Sequence, residues 1–596
     1  MSQFILRPLV AALATSLVYI STPVFAETSS AADTQKILRF SEDGTPTTFD
    51  TVQAGTTYAN TIVTAVYDTL YEYKYLKIPF ELKPNLATAM PDISADSLTY
   101  TIHIKQGVHF TDDPAFPDGK GREVTAQDFI YSMKRHFDPA NRSQGAWLWT
   151  NKIAGIEEWK KAGADYSKPL EGLSAPDKYT IQIKLVKPYP QLIYTLAMGY
   201  SSLVPHEAVE TYGRELATHP VGSGPFKLIS HDTTKTVLVK NPTYRHEVFH
   251  LADAGYDPKI HGSTGIAALE GKTLPLVDRV EANWVKQASA RWNSFTKGNE
   301  IVNTTLQNEQ LDTVLASKNP VTLKPEYAAK YNFRVQRETG MVFNVFNFDD
   351  EYFSHSDNPK TDAQNKALRC AIVKAFDWPQ RISRFYLGLG EAYPGFIVPG
   401  TDGFDPNMDK TSITQDIAGA KKLLKDNGWN ARNLPVLNYP ATSSVRYKQF
   451  FEQFRGNLMK IGYPKNKIKF KSYATFGDFN RDIKNSRTQM IPMGWGLDYP
   501  DAENTLQLFY GPNRSPGANS ANYNNPEYDA LFEKAAVMQP GAERTAIYRQ
   551  LNQILTEDCV GTGSFSRTRV RLWHKNVTMF PQRDILGNYL KYVDVQ

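Results

Sequence analysis

His246, Glu247 and His250, in the stretch RHEVFHLAD from Arg245 to Asp253, spell H-E-x-x-H. On a helix that spacing puts two imidazoles one turn apart, where they can share a zinc ion while the glutamate acts as general base. Zinc hydrolysis also needs the motif well inside a long helix and a third ligand held nearby. Pro242 stands just before His246 and the loop DAGYDP begins at Asp253, so little more than two helical turns fit between them. Glu270 is the acid on offer as a third ligand, but the GSTG loop before it fixes nothing about its position. The expectation is a short exposed segment with no metal, no cofactor and no peptidase activity. A zinc metalloprotease is the alternative from a different functional class.

Other chemistry is thinly represented. The sequence contains no nucleophile elbow, phosphate loop, dinucleotide fingerprint or paired-cysteine metal motif. GLG at Gly388–Gly390 lacks a third spaced glycine and reads as a turn. His103 falls on the polar face of a strand pattern, and His136 at a helix end where a cation suits the dipole. Cys370 and Cys559 both lie in apolar contexts, which fits either one bridge or two buried thiols.

The elements that position these residues are mixed. SLTYTIHIK places Leu98, Tyr100, Ile102 and Ile104 on one face, and YTIQIKLV repeats the alternation through Tyr179, Ile181, Ile183 and Leu185; both predict half-buried strands. Thr125 with Asp128 three residues on predicts a capped helix. Helices are also predicted where Ile417, Ala420, Leu423 and Leu424 share a face before Gly428, and where Ile547, Leu551, Ile554 and Leu555 do so. The fold class is α/β or α+β, in more than one lobe, because 596 residues exceed the size of one core.

Hydrophobic residues make up 41% and charged residues 22%, with no low-complexity tract, which excludes disorder, collagen and coiled coil. Met1 to Ala26 carries one cation, an apolar stretch from Pro8 to Ile20, and VFA before Glu27, the pattern of a cleavable secretory signal. Cleavage is expected after Ala26. No Cys follows it to carry a lipid, and no later segment predicts a membrane span, so the expected location is free in a periplasm. Without Arg7 the balance is 66 cations to 62 acids, about +4, too weak and dispersed to imply nucleic acid.

From Leu82 to Pro139 a strand, the K-x-G-V-x-F-x-D turn at Lys105–Asp112, DG at Asp118–Gly119 and the V-T-A-x-D-F helix start at Val124–Phe129 follow in order. This run resembles the family 5 extracellular solute-binding proteins, the receptors of oligopeptide and dipeptide ABC importers. The likeness continues through VGSGPF (Val221–Phe226), KNPTY (Lys240–Tyr244), ALRCAIVKAFD (Ala367–Asp377) and WGLDYPDAENTL (Trp495–Leu506).

That resemblance implies a bilobal α/β periplasmic-binding-protein fold with a two-strand hinge and an extra α+β domain inserted in lobe I. Residues 1–26 are the signal, 37–75, 205–340 and 560–596 lobe I, 76–204 the extra domain and 341–559 lobe II. Family order sets Cys370 and Cys559 near the two sequence ends of lobe II, and with export this favours one bridge. The implied function is capture of a peptide in a closing interlobe cleft and delivery to transmembrane permease subunits by a monomer that is not an enzyme. A nickel complex, haem or oligosaccharide is the alternative solute.

In peptide-binding members the segment like MGWGLDYPD lies along the cleft, and its aspartate accepts the ligand's ammonium. The matching residue is Asp498. Trp495 and Tyr499 would line pockets, and Gly494 and Gly496 would let the ligand backbone approach. Thr45 and Thr47, with Trp147 and Trp149, resemble the opposite wall. Some members carry an arginine six residues before the aspartate to meet a peptide carboxylate, but Pro492 stands there, so that anchor is unassigned.

Overall fold

The computed structural model describes residues 35–297, 301–581, 585, 587 and 589–596; the signal segment lies outside them. Among the described residues no helix is long and apolar enough to cross a membrane. Three sheets organise the chain. The first runs in the order Ile37–Glu42, Arg279–Trp284, Lys235–Lys240, Phe226–His231, with only the first pair parallel. The second, antiparallel throughout, is Asp92–Ile93, Thr99–His103, Thr180–Lys184 and Leu173–Asp177. It contains both strands predicted from alternation, with Tyr100, Ile102, Ile181 and Ile183 buried.

VGSGPF delivers the chain into the first sheet across the helix Thr57–Val66. A Cβ on Gly222 would sit 2.2 Å from the Val66 carbonyl oxygen, and one on Gly224 2.6 Å from it, so only glycine lets the two backbones pass. One continuous core then joins both sheets, running from Leu38 to Trp284 and taking in Trp573 to Val593.

The third sheet is built on the 14-residue strand Gly561–His574. Its first half pairs with Gly340–Phe346 and Gly390–Tyr393, and its second half with Tyr331–Arg337 and Asn303–Thr305. Gly340–Phe346 in turn carries Met490–Gly496 as the edge strand. A second large core, from Met341 to Phe565, packs around the first half of this sheet. A smaller one, around Phe295, Leu311, Val570 and Leu572, packs on the second half. Two strands therefore cross between the cores side by side. At the crossing the Glu338 carboxylate takes hydrogen bonds from Arg567 and Arg569, and its backbone N–H donates to the Arg567 carbonyl at 2.9 Å.

The predicted helices fall where their patterns place them. Thr125 and Asp128 form a reciprocal capping box on Ala126–Phe137, Asp416 caps Ile417–Asp426, and Ile547, Leu551 and Leu555 are the buried stripe of Ala542–Glu557. His136 differs from its prediction. It is buried, hydrogen-bonded at 2.7 Å to both Ser143 Oγ and the Tyr200 carbonyl, and burial brings its pKa down to about 4, so it is neutral at the helix end.

Cys370 and Cys559 form a disulfide that closes a separation of 189 residues. Chain entropy alone assigns a loop of that length about 5 kcal/mol, an upper figure. Cys370→Ala with Cys559→Ala is expected to lower stability by roughly 3–5 kcal/mol in denaturant titration; unchanged stability would mean the bond constrains nothing in the unfolded chain.

Candidate functional site

H-E-x-x-H is not helical. Residues 245–250 run as extended chain, with Val248 bridged to Thr273, and helix begins only at Leu251. Four residues of extended chain separate the two imidazoles by about 13 Å, whereas one zinc ion needs both nitrogens at about 2 Å. His250 Nδ1 lies 3.0 Å from Glu270 Oε1 on the surface. No three such ligands converge among the described residues. The expectation of an exposed segment is corrected for Glu247, whose side chain is 19% exposed and contacts Lys591, itself fully buried, at 2.9 Å. Burial alone would raise the Glu247 pKa, but Lys591 and Arg245 outweigh it and hold the carboxyl well below the usual range. The glutamate is an ion-pair partner inside the first core.

The edge strand Met490–Gly496 presents a different chemistry. Leu497 N–H donates to the Thr339 carbonyl at 3.0 Å, and Asn347 N–H to the Gln489 carbonyl at 2.9 Å. With the register Gly340 to Gly496 and Asn344 to Pro492, the odd-numbered residues bond to the neighbouring strand. The backbone groups of Pro492, Gly494 and Gly496 therefore face the open edge. Proline has no N–H to leave unpaired there, and both glycines are exposed; a Cβ on Gly496 would meet nothing within 4 Å.

Just past this edge sits Asp498. Its Oδ2 accepts from Asn504 Nδ2 at 3.0 Å, while Asn504 Oδ1 accepts from the Asp498 backbone N–H at 3.2 Å and from Trp495 Nε1 at 2.9 Å. Asn504, fully buried in the short helix Glu503–Leu506, thus fixes both the aspartate and the tryptophan. Burial raises the Asp498 pKa and the Asn504 amide opposes it. No cation among the described residues pairs with Asp498. Its carboxylate borders a cavity of about 180 Å³ whose other wall is Gly55, Thr56, Thr57, Asn60 and Tyr200.

Next to it the short helix Leu192–Thr195 meets the segment that follows the edge strand. Tyr499 stacks on Tyr194 with ring centroids 6.1 Å apart and nearly parallel, and its hydroxyl donates to Glu503 Oε2 at 2.6 Å. Glu503 is buried, which pushes its pKa up to about 7. Across the contact Lys152 lies 4.1 Å from the Tyr189 ring centroid, and burial brings its pKa down to about 8.

The expected wall residues are dispersed. Thr45 donates to the Thr233 carbonyl at 3.3 Å, Thr47 is exposed, and neither borders the Asp498 cavity. Trp147 is exposed; Trp149 is a core residue, fully buried with its indole N–H donated to Thr195 Oγ1 at 2.9 Å. Sequence reading missed Asn504, Tyr200 and the helix start at Gly55–Thr57. It also missed a second cavity, about 330 Å³, beside Pro492, Met493 and Gly494. Arg381 and Arg446 face it from among Tyr386, Phe450 and Phe476, and neither pairs with a carboxylate among the described residues. Arg381 is 3% exposed, its Nε bonded to Gln453 Oε1.

Residues 81–517 match the sequence profile of the bacterial extracellular solute-binding proteins, family 5. Heme-binding protein A of Haemophilus influenzae is 24% identical over 84% of this chain and 81% of its own length. The dipeptide-binding protein of Escherichia coli is 23% identical over 89% of each chain. Among solved structures, HbpA2 from Haemophilus parasuis superposes with a TM-score of 0.72 at 20% identity, over 94% of this chain and all of that one.

Two stability measurements follow from the buried charges. Glu247→Gln is expected to cost about 1–2 kcal/mol, because it removes one of two carboxylates from the buried Lys591 and leaves Glu72 at 3.1 Å as the other, while His246→Ala and His250→Ala stay within about 0.5 kcal/mol; three equal small effects would remove Glu247 from the core network. Glu503 releases its proton near pH 4.5 in the unfolded chain and near pH 7 in the fold, so stability falls as pH rises across that window. Glu503→Gln should be more stable than wild type by roughly 2–3 kcal/mol at pH 8 and equal to it at pH 4. A loss at pH 8 would mean that Lys152 holds Glu503 ionised.

Proposed function

The chain belongs to the bacterial extracellular solute-binding proteins of family 5, periplasmic receptors of ABC importers, and from that premise we propose that its solute is a short peptide whose ammonium is held by Asp498. The observation that carries this reading is a half-buried carboxylate, paired with no cation among the described residues, at the end of an open strand edge. A buried unpaired charge is costly, and an incoming ammonium relieves it. The free backbone groups of Gly494 and Gly496 can pair with an extended chain as an added strand. From Gly494 to Asp498 the strand rises about 13 Å, the length of about four extended residues. At the far end Arg446 and Arg381 supply the positive charge for a carboxylate, the role left unassigned by Pro492.

Lobe I then comprises 37–75, 205–340 and 560–596 with the extra domain at 76–204, and lobe II 341–559. Closure about the two crossing strands brings Tyr194 and Tyr499 together over the ligand. After removal of residues 1–26 the receptor works as a monomer in the periplasm and presents its closed form to the permease subunits. The aromatic walls around two guanidiniums also suit a planar dicarboxylate such as haem, the solute in the name of the Haemophilus influenzae relative. An absorbance titration with haem separates the two.

Calorimetry with a pool of tri- and tetrapeptides, free and N-acetylated, tests the anchor. Wild type is expected to favour the free amines by about 3–5 kcal/mol, two to four decades, and Asp498→Asn to lose most of that preference while remaining folded. Because the Asp498 pKa is raised, affinity for free amines should fall as pH drops through that raised value, when the carboxylate takes up a proton. Arg446→Ala should weaken free carboxylates more than C-terminal amides. Binding of all peptides within about tenfold by both wild type and Asp498→Asn would reject the peptide reading.

A further inference from the structure

The cavity beside Pro492, Met493 and Gly494 carries more positive charge than one carboxylate needs. Arg381, Arg446 and Arg567 line it, and no aspartate or glutamate does. Arg567 already has an anion, because the Glu338 carboxylate accepts from it and from Arg569. Arg381 has none. It is buried, with Nε donating to Gln453 Oε1 and Nη2 to the Phe450 carbonyl at 3.3 Å, both neutral acceptors. Gln453 is held in turn by donating to the Asp377 carbonyl at 2.9 Å. The Arg381 guanidinium is therefore fixed, out of water, and matched by no anion among the described residues.

Arg446 joins it at the same ring. The guanidinium carbons of Arg381 and Arg446 lie 4.2 and 5.5 Å from the Phe450 ring centroid, and that of Arg446 also lies 5.1 Å from the Tyr386 centroid. Arg446 belongs to the first turn of the helix Val445–Lys460, which has no acidic residue there. A cation in that position opposes the helix dipole, and the unbonded N–H groups of the turn add to the positive charge. Two like charges set around one ring repel, and the aromatic surroundings screen them less than water would. Anions entering the cavity relieve both terms.

We propose that the cavity takes an acidic C-terminal residue, two carboxylates for two arginines, so that peptides ending in glutamate or aspartate are the preferred solutes. This rests on the peptide reading above. The α-carboxylate, tied to a backbone that runs along the strand edge, meets Arg446, which is exposed. The side chain reaches inward, and its carboxylate meets the buried Arg381. Each planar guanidinium can receive a carboxylate through two parallel hydrogen bonds. A peptide with a single carboxylate would leave one arginine unmatched, and the buried one is the costlier to leave in that state. A non-peptide dicarboxylate such as haem answers to the same two charges, so the test separates the two sources.

The test is calorimetry on the full mature protein with the tetrapeptide Ala-Ala-Ala-Glu, its counterpart ending in Gln, and the N-acetylated form of the first. Wild type is expected to bind the Glu peptide about ten- to a hundredfold more tightly than the Gln peptide. Arg381→Met removes the buried charge, keeps an unbranched stem, and is expected to abolish that ratio while the preference for a free amine stays. The wild-type ratio decides the matter by itself if the variant does not fold. A ratio within about twofold in wild type, or one that a folded Arg381→Met retains, would overturn this inference; if N-acetylation still weakens binding, the peptide reading survives it. Haem binding that Arg381→Met removes, with none of the peptides bound, would assign the arginines to a non-peptide dicarboxylate and overturn both.

Discussion

The strand Gly561–His574 is the constraint on which the rest of the molecule depends. Its first half is held in the ladder of Gly340–Phe346 and its second half in that of Tyr331–Arg337, so one stretch of backbone belongs to two cores. Relative motion of the cores must be absorbed where both strands cross, at Glu338 and Arg567. Every group on the second core that faces the first is carried by this connection. Met490–Gly496 hangs on Gly340–Phe346, and Asp498 follows from its end. The position of the candidate anchor relative to Tyr200 and the helix start at Gly55–Thr57 is thus set by two neighbouring strands.

Within that frame the cleft is assembled from groups that would destabilise an ordinary core. Asp498 is half-buried with an amide for company in place of a cation among the described residues, and the backbone groups of the two glycines beside it point away from the neighbouring strand. Asn504 makes this arrangement tenable, because one amide orients both Asp498 and Trp495 while adding no charge of its own. The nearby group of Lys152, Tyr189, Tyr499 and Glu503 places two buried titratable side chains, one acid and one base, close to Asp498.

Local patterns in the sequence carried the fold well. Alternation at Tyr100 to Ile104, the capping box at Thr125 and the stripe at Ile547 to Leu555 are decided within a few residues, and the structure keeps them. What depended on distant partners was not legible. Glu247 looked exposed because its partner, Lys591, is 344 residues away. Trp149 looked like a wall residue because nothing local announces Thr195 as its acceptor. Asn504 lay inside a quoted motif yet had no visible role, since an asparagine in a helix start reads as a cap. Arg381 and Arg446 sit on separate helices, and only tertiary packing brings them to one aromatic cavity. Asp498, Gly494 and Gly496 were reached through resemblance to a family; the parity of the strand bonds now supplies the physical reason for the glycines.

The central claim is that a ligand chain adds itself to the open edge ending at Asp498. Amide hydrogen exchange of Gly494 and Gly496, with and without a saturating pool of tri- and tetrapeptides, measures this most directly. The account predicts that both glycine amides become strongly protected, while Met493 and Trp495, already bonded to the neighbouring strand, change little. Unchanged exchange at Gly494 and Gly496 in the presence of bound peptide would contradict it.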